Sequence, residues 1–518
     1  MKTLRTTVRT AAFAAAALIA FHRQLPAQEA STDTATAVRE LQDQVRQLRS
    51  LVEQMHAENV QSRAEMQELR EDLKATRALL ATPGANAPGV ATAAQGTPPL
   101  SSDNSSSAPL ESRVEKLEES TSLLNSRIDE HYQTKVETAS KYRARLHGIV
   151  LMNTFRNLGG SNDLDIPEFA TPVSRFASQT TFGATLRQSE IGLEIFGPDV
   201  AGARTSANIQ LDFAGGFPSV GNGVNFGIAR LQTANMRFDW AHTSVIAGQD
   251  SLFISPLSPA SFATLAIPTF AAAGNLWSWT PQIRVEHRFE FSDQHYITVQ
   301  AGILDNLNWE PPQDSYARNP QAGEESGQPA YGVRTAWTHP LFGRPLTVGA
   351  AGYYGRQHWS WDRYVDSWAG MTDWQIPLAP RLMLSGEFYR GRGVGTFGAA
   401  INRPVLFGGS PFSGLTPIRG LDSAGGWGQL TLQIAPKLDF NGSFAEDNAY
   451  AGDIRGFATD ENNFSTILGR NRGMLGNFVY RPRSDLLFSA EFRRLRSYPV
   501  YSDSSMTNQI GLAMGILF

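Results

Sequence analysis

From Ala203 to Phe213 the chain alternates without a fault over eleven residues. Ala203, Thr205, Ala207, Ile209, Leu211 and Phe213 fall on one side, and Arg204, Ser206, Asn208, Gln210 and Asp212 on the other. Gln282 to Phe291 repeats the pattern, with Ile283, Val285, Phe289 and Phe291 set against Gln282, Arg284, Glu286, Arg288 and Glu290. A period of two puts successive side chains on opposite faces of a strand. Alternation over about ten residues suits a tilted strand with hydrocarbon on one side and water on the other. A soluble sandwich with one solvated face makes a similar pattern, but with turns of similar length at both ends. The connections therefore decide between the two.

Strands are predicted near 142–156, 182–196, 202–214, 226–240, 242–250, 281–291, 295–304, 330–338, 346–355, 364–376, 381–391, 425–434, 437–446, 472–480, 485–495 and 506–518. GPDVAG at 197–202, FSDQ at 291–294, HPLFGRP at 339–345, PLAP at 377–380, APK at 435–437 and RPRSD at 481–485 are short joints. Those at 157–181, 214–226, 250–281, 305–329, 392–424 and 446–471 are long. Short turns on one rim and long loops on the other belong to an outer-membrane barrel with its short turns in the periplasm. Trp240, Phe291, Trp337, Trp374 and Tyr480 stand near the short joints, as amphipathic rings do at a membrane interface. The predicted fold class is an all-β transmembrane barrel of about 16 antiparallel strands over 141–518, preceded by an N-terminal α-helical coiled coil. An even strand count leaves both barrel ends, and the coiled coil, in the periplasm.

Residues 1–27 read as a signal peptide. Lys2, Arg5 and Arg9 precede the apolar run Ala11 to Phe21, and Ala27 offers a small residue for cleavage. From Val38 apolar residues step by three and four: Val38, Val45, Val52, Met66, Leu73 and Leu80 at one seam position, Leu41, Leu48, Met55 and Leu69 at the other. That spacing predicts a coiled coil over 28–80, with Asn59 and Ser62 setting register at a cost in stability. A flexible linker of Ala, Pro, Gly, Thr and Ser occupies 81–109, and heptad spacing returns in a short second helix within 110–140.

Composition narrows the function. Lys+Arg number 45 against 49 Asp+Glu, a net charge of -4, which argues against a nucleic-acid partner held by global positive charge. Cysteine is absent, which removes disulfides, thiolate metal sites and cysteine nucleophiles. The histidines His147, His242, His287, His295, His339 and His358 form no metal motif, and no G-x-S-x-G elbow occurs. No enzyme and no cofactor is predicted, and a barrel hydrolase is the weakest of the readings.

The last predicted strand alternates Ile510, Leu512, Met514, Ile516 and Phe518 with Gln509, Gly511, Ala513, Gly515 and Leu517. Its terminal aromatic residue resembles the insertion signal of bacterial outer-membrane barrels. The whole plan, with LRQSEIGLEIFGP around 185–198, IQLDFAGG at 209–216, VIAGQDSLF at 245–253 and WTPQIRVE at 279–286, resembles the DcaP-like trimeric outer-membrane porins. Phosphate-selective porins share a similar plan, but Lys437 is the only lysine after Lys141, which departs from a lysine-lined phosphate pathway. The resemblance implies a homotrimer in outer-membrane lipid that passes small dicarboxylates. Val and Leu at the two seam positions favour two strands instead.

A sixteen-stranded barrel encloses a water-filled lumen, and lumen charge sets ion preference. Parity assigns Arg143, Arg145, Arg187, Arg204, Arg237, Arg284, Arg288 and Arg334 to the inside, with Glu190, Glu194, Asp212, Asp239, Glu286, Glu290, Glu387, Asp439 and Glu491. The pore-lining set predicted is Arg143, Arg187, Arg204, Arg237, Arg284, Arg334, Asp212 and Asp250. Many of these charges are expected to pair along the wall, leaving a modest preference for small anions. The apolar 250–281 segment is expected to fold inward as the constriction and hide Phe253, Phe262 and Phe270, with packing on the outer rim or a neighbouring subunit as the other course. The expected function is a porin for small hydrophilic solutes. A structural envelope tether with a plugged barrel is the alternative.

Overall fold

The computed structural model of the chain describes residues 135–136, 143–310 and 316–518. The predicted signal peptide, coiled coil, linker and most of the second helical segment lie outside the described residues. Lys135–Val136 is a two-residue strand laid against Ala144 and Arg145.

Sixteen antiparallel strands form one sheet: β1 (Arg143–Leu158), β2 in two pieces (Thr180–Thr185 and Glu190–Phe196), β3 (Arg204–Asp212), β4 (Arg230–Asp239), β5 (Thr243–Ser251), β6 (Trp279–Ser292), β7 (His295–Leu304) and β8 (Ala330–Leu341). Then follow β9 (Arg344–Trp359), β10 (Arg363–Ala379), β11 (Leu382–Arg392), β12 (Asp422–Ala435), β13 (Leu438–Ala449), β14 (Leu468–Arg483), β15 (Leu486–Pro499) and β16 (Ser505–Leu517). Each strand pairs with the next, and β1 pairs with β16 from Ile149↔Leu517 to Leu158↔Asn508, which closes the barrel and leaves the main sheet no open edge. Phe518 completes the seam through two backbone hydrogen bonds with Gly148, at 2.9 and 3.1 Å.

Side-chain exposure is inverted relative to a soluble protein. On β16 Leu512 is 57% exposed and Gln509 3%, and on β6 Ile283 and Val285 are exposed where Gln282 and Arg284 are buried. The outer face is the apolar one along the middle of the strands, as contact with hydrocarbon requires. Trp240, Phe291, Trp337 and Tyr480 lie exposed near the short-turn rim, and Trp374 stands five residues inside the end of β10.

The short rim holds connections at 197–203, 240–242, 293–294, 342–343, 380–381, 436–437 and 484–485. At 342–343 both residues take positive φ (52° and 72°), the mirror-image turn whose twist matches a two-residue hairpin. The other rim carries the long connections, with two exceptions that were not foreseen: 360–362 and 500–504 are short there too.

Two irregularities change the parity of the wall. The second strand, predicted as continuous, breaks at 186–189, and its two pieces cover different halves of β1. In β4 a bulge opposite Gln210 and Leu211 turns both Gln232 and Thr233 inward, so Arg230 faces in where simple alternation would send it out.

Candidate functional site

The connection between β5 and β6, residues 252–278, folds into the barrel and crosses to the far wall. Three clusters hold it there. Phe253, Ile254 and Leu276 pack with Tyr353, Met371, Tyr389 and Phe397. Phe270 and Ala273 pack with Trp427, Leu475 and Leu495, and the partly buried Phe262 and Leu265 with Ile149, Leu151 and Ala513. Burying a Phe side chain contributes about 1.5–3 kcal/mol, so Phe253 and Phe270 alone anchor the segment firmly. Gly473 lies beneath the Phe270 ring, where any side chain on that strand position would collide with it.

Hydrogen bonds fix the rest of the path. Ser255 Oγ donates to Glu387 Oε2 at 2.6 Å, and Leu257 N to Glu387 Oε1 at 2.8 Å. Ala260 N donates to Gln429 (2.9 Å), Asn477 donates to Ala260 O (2.8 Å) and Ser261 Oγ donates to Glu491 Oε2 (2.6 Å). Gln188, in the break of β2, donates to Ala263 O and accepts from Leu265 N. Arg230 Nη2 donates to Ala266 O at 2.7 Å, and Asn471 to Ala272 O at 2.8 Å. The segment therefore touches β2, β4, β11, β12, β14 and β15 by side-chain hydrogen bonds. The inward course expected from its length and apolar content is the one the structure takes.

Opposite this loop stands a charged wall. One row of hydrogen-bonded register runs Arg143, Phe196, Ser206, Arg237, Ile246, Arg284 across β1 to β6. The next runs Arg204, Asp239, Ser244, Glu286, Gln300, Arg334 across β3 to β8. Arg237 binds Asp239 at 2.7 Å and lies 3.7 Å from Glu286. Arg284 binds Asp250 (2.7 Å) and Glu286 (2.9 Å), and Arg288 pairs with Glu290. These four form the self-neutralising ladder expected of Arg284, Glu286, Arg288 and Glu290. Arg334 clasps Asp373 with two nitrogens, at 3.0 and 2.7 Å, and is buried. Arg143 and Arg204 are exposed and make no ion pair among the described residues.

Arg187 and Asp212 stand apart from this wall. The break of β2 takes Arg187 off the strand predicted for it, and its guanidinium reaches Asp165 (2.6 Å) and Asp163 (3.0 Å) in the connection after β1. Burial raises the pKa of the Asp165 carboxyl, and the hydrogen bonds it makes with Arg187 and Asp163, with the charge of Arg187, together bring it below the usual carboxylate value. Arg187 is thus not part of one basic patch with Arg204 and Arg237. Asp212 is fully buried between Arg230, at 2.5 Å, and Gln232, at 2.8 Å.

Arg230 and Gln188 were invisible to periodicity, because a bulge and a strand break place them. Arg493 is marked by alternation alone: it shares the inward parity of Glu491, two residues before it, and joins that carboxylate at 2.7 Å beneath the loop.

No protein-family model matches this sequence, and no curated protein matches it. Solved structures do match. The outer membrane channel DcaP of Acinetobacter baumannii superposes with a TM-score of 0.56 at 14% identity, over 74% of this chain and 100% of that one. An anion-selective porin from Comamonas acidovorans gives 0.45 at 11% identity, over 73% and 100%. OprB of Pseudomonas putida gives 0.45 at 13%, over 72% and 94%. The class the fold defines is the closed, sixteen-stranded antiparallel barrel with an apolar outer face. Within it the chain shares the DcaP fold, as the local motifs led one to expect.

Proposed function

We propose that the protein is a bacterial outer-membrane porin through which small hydrophilic solutes diffuse passively, with a preference for small anions. The observation that carries the reading is the 252–278 loop held across the interior by both apolar anchors and buried polar ones. Such a loop narrows a lumen without needing any moving part, and the charged groups it leaves uncovered lie along one wall. The DcaP likeness supports the channel class through its fold alone. The long connections then face outward from the cell and the short turns face the periplasm. A plugged structural tether would keep the same loop but pass nothing, so swelling of liposomes loaded with the purified protein separates the two.

The anion preference rests on Arg143 and Arg204, which are exposed and make no ion pair among the described residues, and in part on Arg237, which is tied to Asp239. A positive wall raises local anion concentration and is screened by salt. Replacing Arg143, Arg204 and Arg237 together with Ala is expected to move the reversal potential in a salt gradient toward cation preference. Arg187→Ala, whose guanidinium is buried against two carboxylates, is expected to leave it unchanged. An unmoved potential in the triple variant removes the anion preference from the proposal while leaving the channel.

The assembly proposed is a homotrimer held by the barrels. Deleting 28–140 is expected to leave the trimer mass in detergent unchanged. Monomers from that truncation would assign the assembly to the N-terminal segment instead.

A further inference from the structure

The outer face of the barrel is mainly apolar, and its long-loop rim carries two charged groups: one across β9 to β12, where Arg356 pairs with Asp366 and Arg390 and Arg392 pair with Asp422, and one across β14, β15, β16 and β1. Arg470 and Arg472 project outward from β14, Arg494 and Arg496 from β15, and Arg156 from β1. Register sets Arg472 opposite Arg496, Met474 opposite Arg494, and Ile510 opposite both Phe492 and Arg156. Adjacent strands lie about 4.8 Å apart, so the five guanidiniums share a patch three strand spacings wide. Tyr498 gathers three of them: Arg470, Arg472 and Arg496 lie 5.7, 5.9 and 5.1 Å from its ring.

The patch is short of anions. Glu446 on β13 accepts from Arg472 at 2.7 Å and lies 3.4 Å from Arg470. Among the described residues Glu446 is the one acid that pairs with any of the five arginines. Arg494 donates to Asn508 and Arg496 to Ser504, both neutral, and both arginines are exposed. Like charges set side by side on a sheet are unfavourable unless something neutralises them. Directly below, on the same outward face, Met474, Phe478, Phe492, Ile510 and Leu512 continue the apolar band without interruption.

We infer that this patch is a binding site for the phosphorylated headgroup of an outer-leaflet glycolipid, whose acyl chains run down the apolar band beneath it. Guanidinium forks bind phosphate oxygens two at a time, which suits a cluster of arginines better than a single one. The attached acyl chains distinguish this ligand from free phosphate, because the apolar surface begins where the arginines end. The inference takes from the outer-membrane placement above only the source of the phosphates, and conduction plays no part in it.

The test uses the full chain in detergent and native mass spectrometry, with bis-phosphorylated lipid A and its dephosphorylated form as probes. The intact protein should retain the phosphorylated lipid, and Arg472→Gln/Arg494→Gln/Arg496→Gln should weaken retention about tenfold or more, given the strength of charge-assisted bonds. Raised salt should weaken the intact protein toward the variant. Arg381→Gln/Arg483→Gln, near the opposite rim, should retain the lipid normally, and heat-resistant electrophoretic mobility should show every variant folded. Equal retention of both lipids, or equal retention by protein and triple variant, would overturn the inference. So would a change of oligomeric mass in the triple variant with lipid retention intact, which would make the patch a contact between copies of the chain.

Discussion

Removing residues 256–275 is expected to raise single-channel conductance roughly threefold or more, since the narrowest part of a pore dominates its resistance. The deletion joins Ser255 to Leu276, whose carbonyl already accepts the Ser255 hydroxyl at 2.9 Å, so the register of β5 and β6 is preserved. The loop covers one side of the interior, and its anchors Glu387, Gln429, Asn477 and Glu491 lie on four strands, β11, β12, β14 and β15. Taking it away opens that wall to water. The same variant should lose selectivity, because solutes then pass far from the arginines of the facing wall. Planar-bilayer recordings measure both effects. A conductance equal to that of the intact protein would mean that the loop does not limit flow, and the constriction would have to be sought in the connections at 393–421 or 450–467. Heat-resistant mobility in gels checks that the barrel still closes.

Arg493→Met is expected to destabilise the barrel by about 3–5 kcal/mol, the usual cost of leaving half of a buried ion pair uncompensated. Both side chains are only 2% exposed, and Arg493 also donates to Thr264 at 2.9 Å under the loop. Losing it strands Glu491 with Ser261 and Asn477 as its remaining donors. Replacing both members, Arg493→Met with Glu491→Leu, should recover most of the loss, because apolar replacement of a buried pair is often near neutral. Urea unfolding in detergent micelles reads the two differences. A single variant as stable as the intact protein would show that water reaches Glu491 readily, against the burial seen beneath the loop.

The two variants probe different layers of one arrangement. The first removes the loop and leaves the wall; the second leaves the loop in place and removes one of the wall groups on which it rests. If the loop is held chiefly by Phe253 and Phe270, Arg493→Met should change stability more than conductance. If the polar anchors hold it, conductance should become noisy as well.

Much of this was legible in the sequence, and the reason is solvent asymmetry. Each strand of a barrel meets hydrocarbon on one side and a polar interior on the other, so the environment is written into every second residue. That is why Ala203 to Phe213 and Gln282 to Phe291 announced their faces, and why the connection lengths separated the two rims. Length and apolar content of the segment after β5 left two courses, inward or against the outer rim or a neighbouring subunit, and its packing on the inner wall decided for the first. What sequence alone determined, then, was the barrel class, the two rims and the face taken by each residue of the regular strands.

Tertiary structure decided the partners. Arg187 was assigned to a continuous strand, but the break at 186–189 turns it toward Asp163 and Asp165, and Arg230 enters the interior only because a bulge in β4 reverses parity. Ser261 meets Glu491 across 230 residues of chain, and no periodicity encodes that contact. The register that aligns Arg143, Arg237 and Arg284 depends on hydrogen-bond pairing along six strands. A period of two specifies which face a residue takes. Height along the barrel and choice of counter-charge come from pairing and closure, which are properties of the assembled sheet.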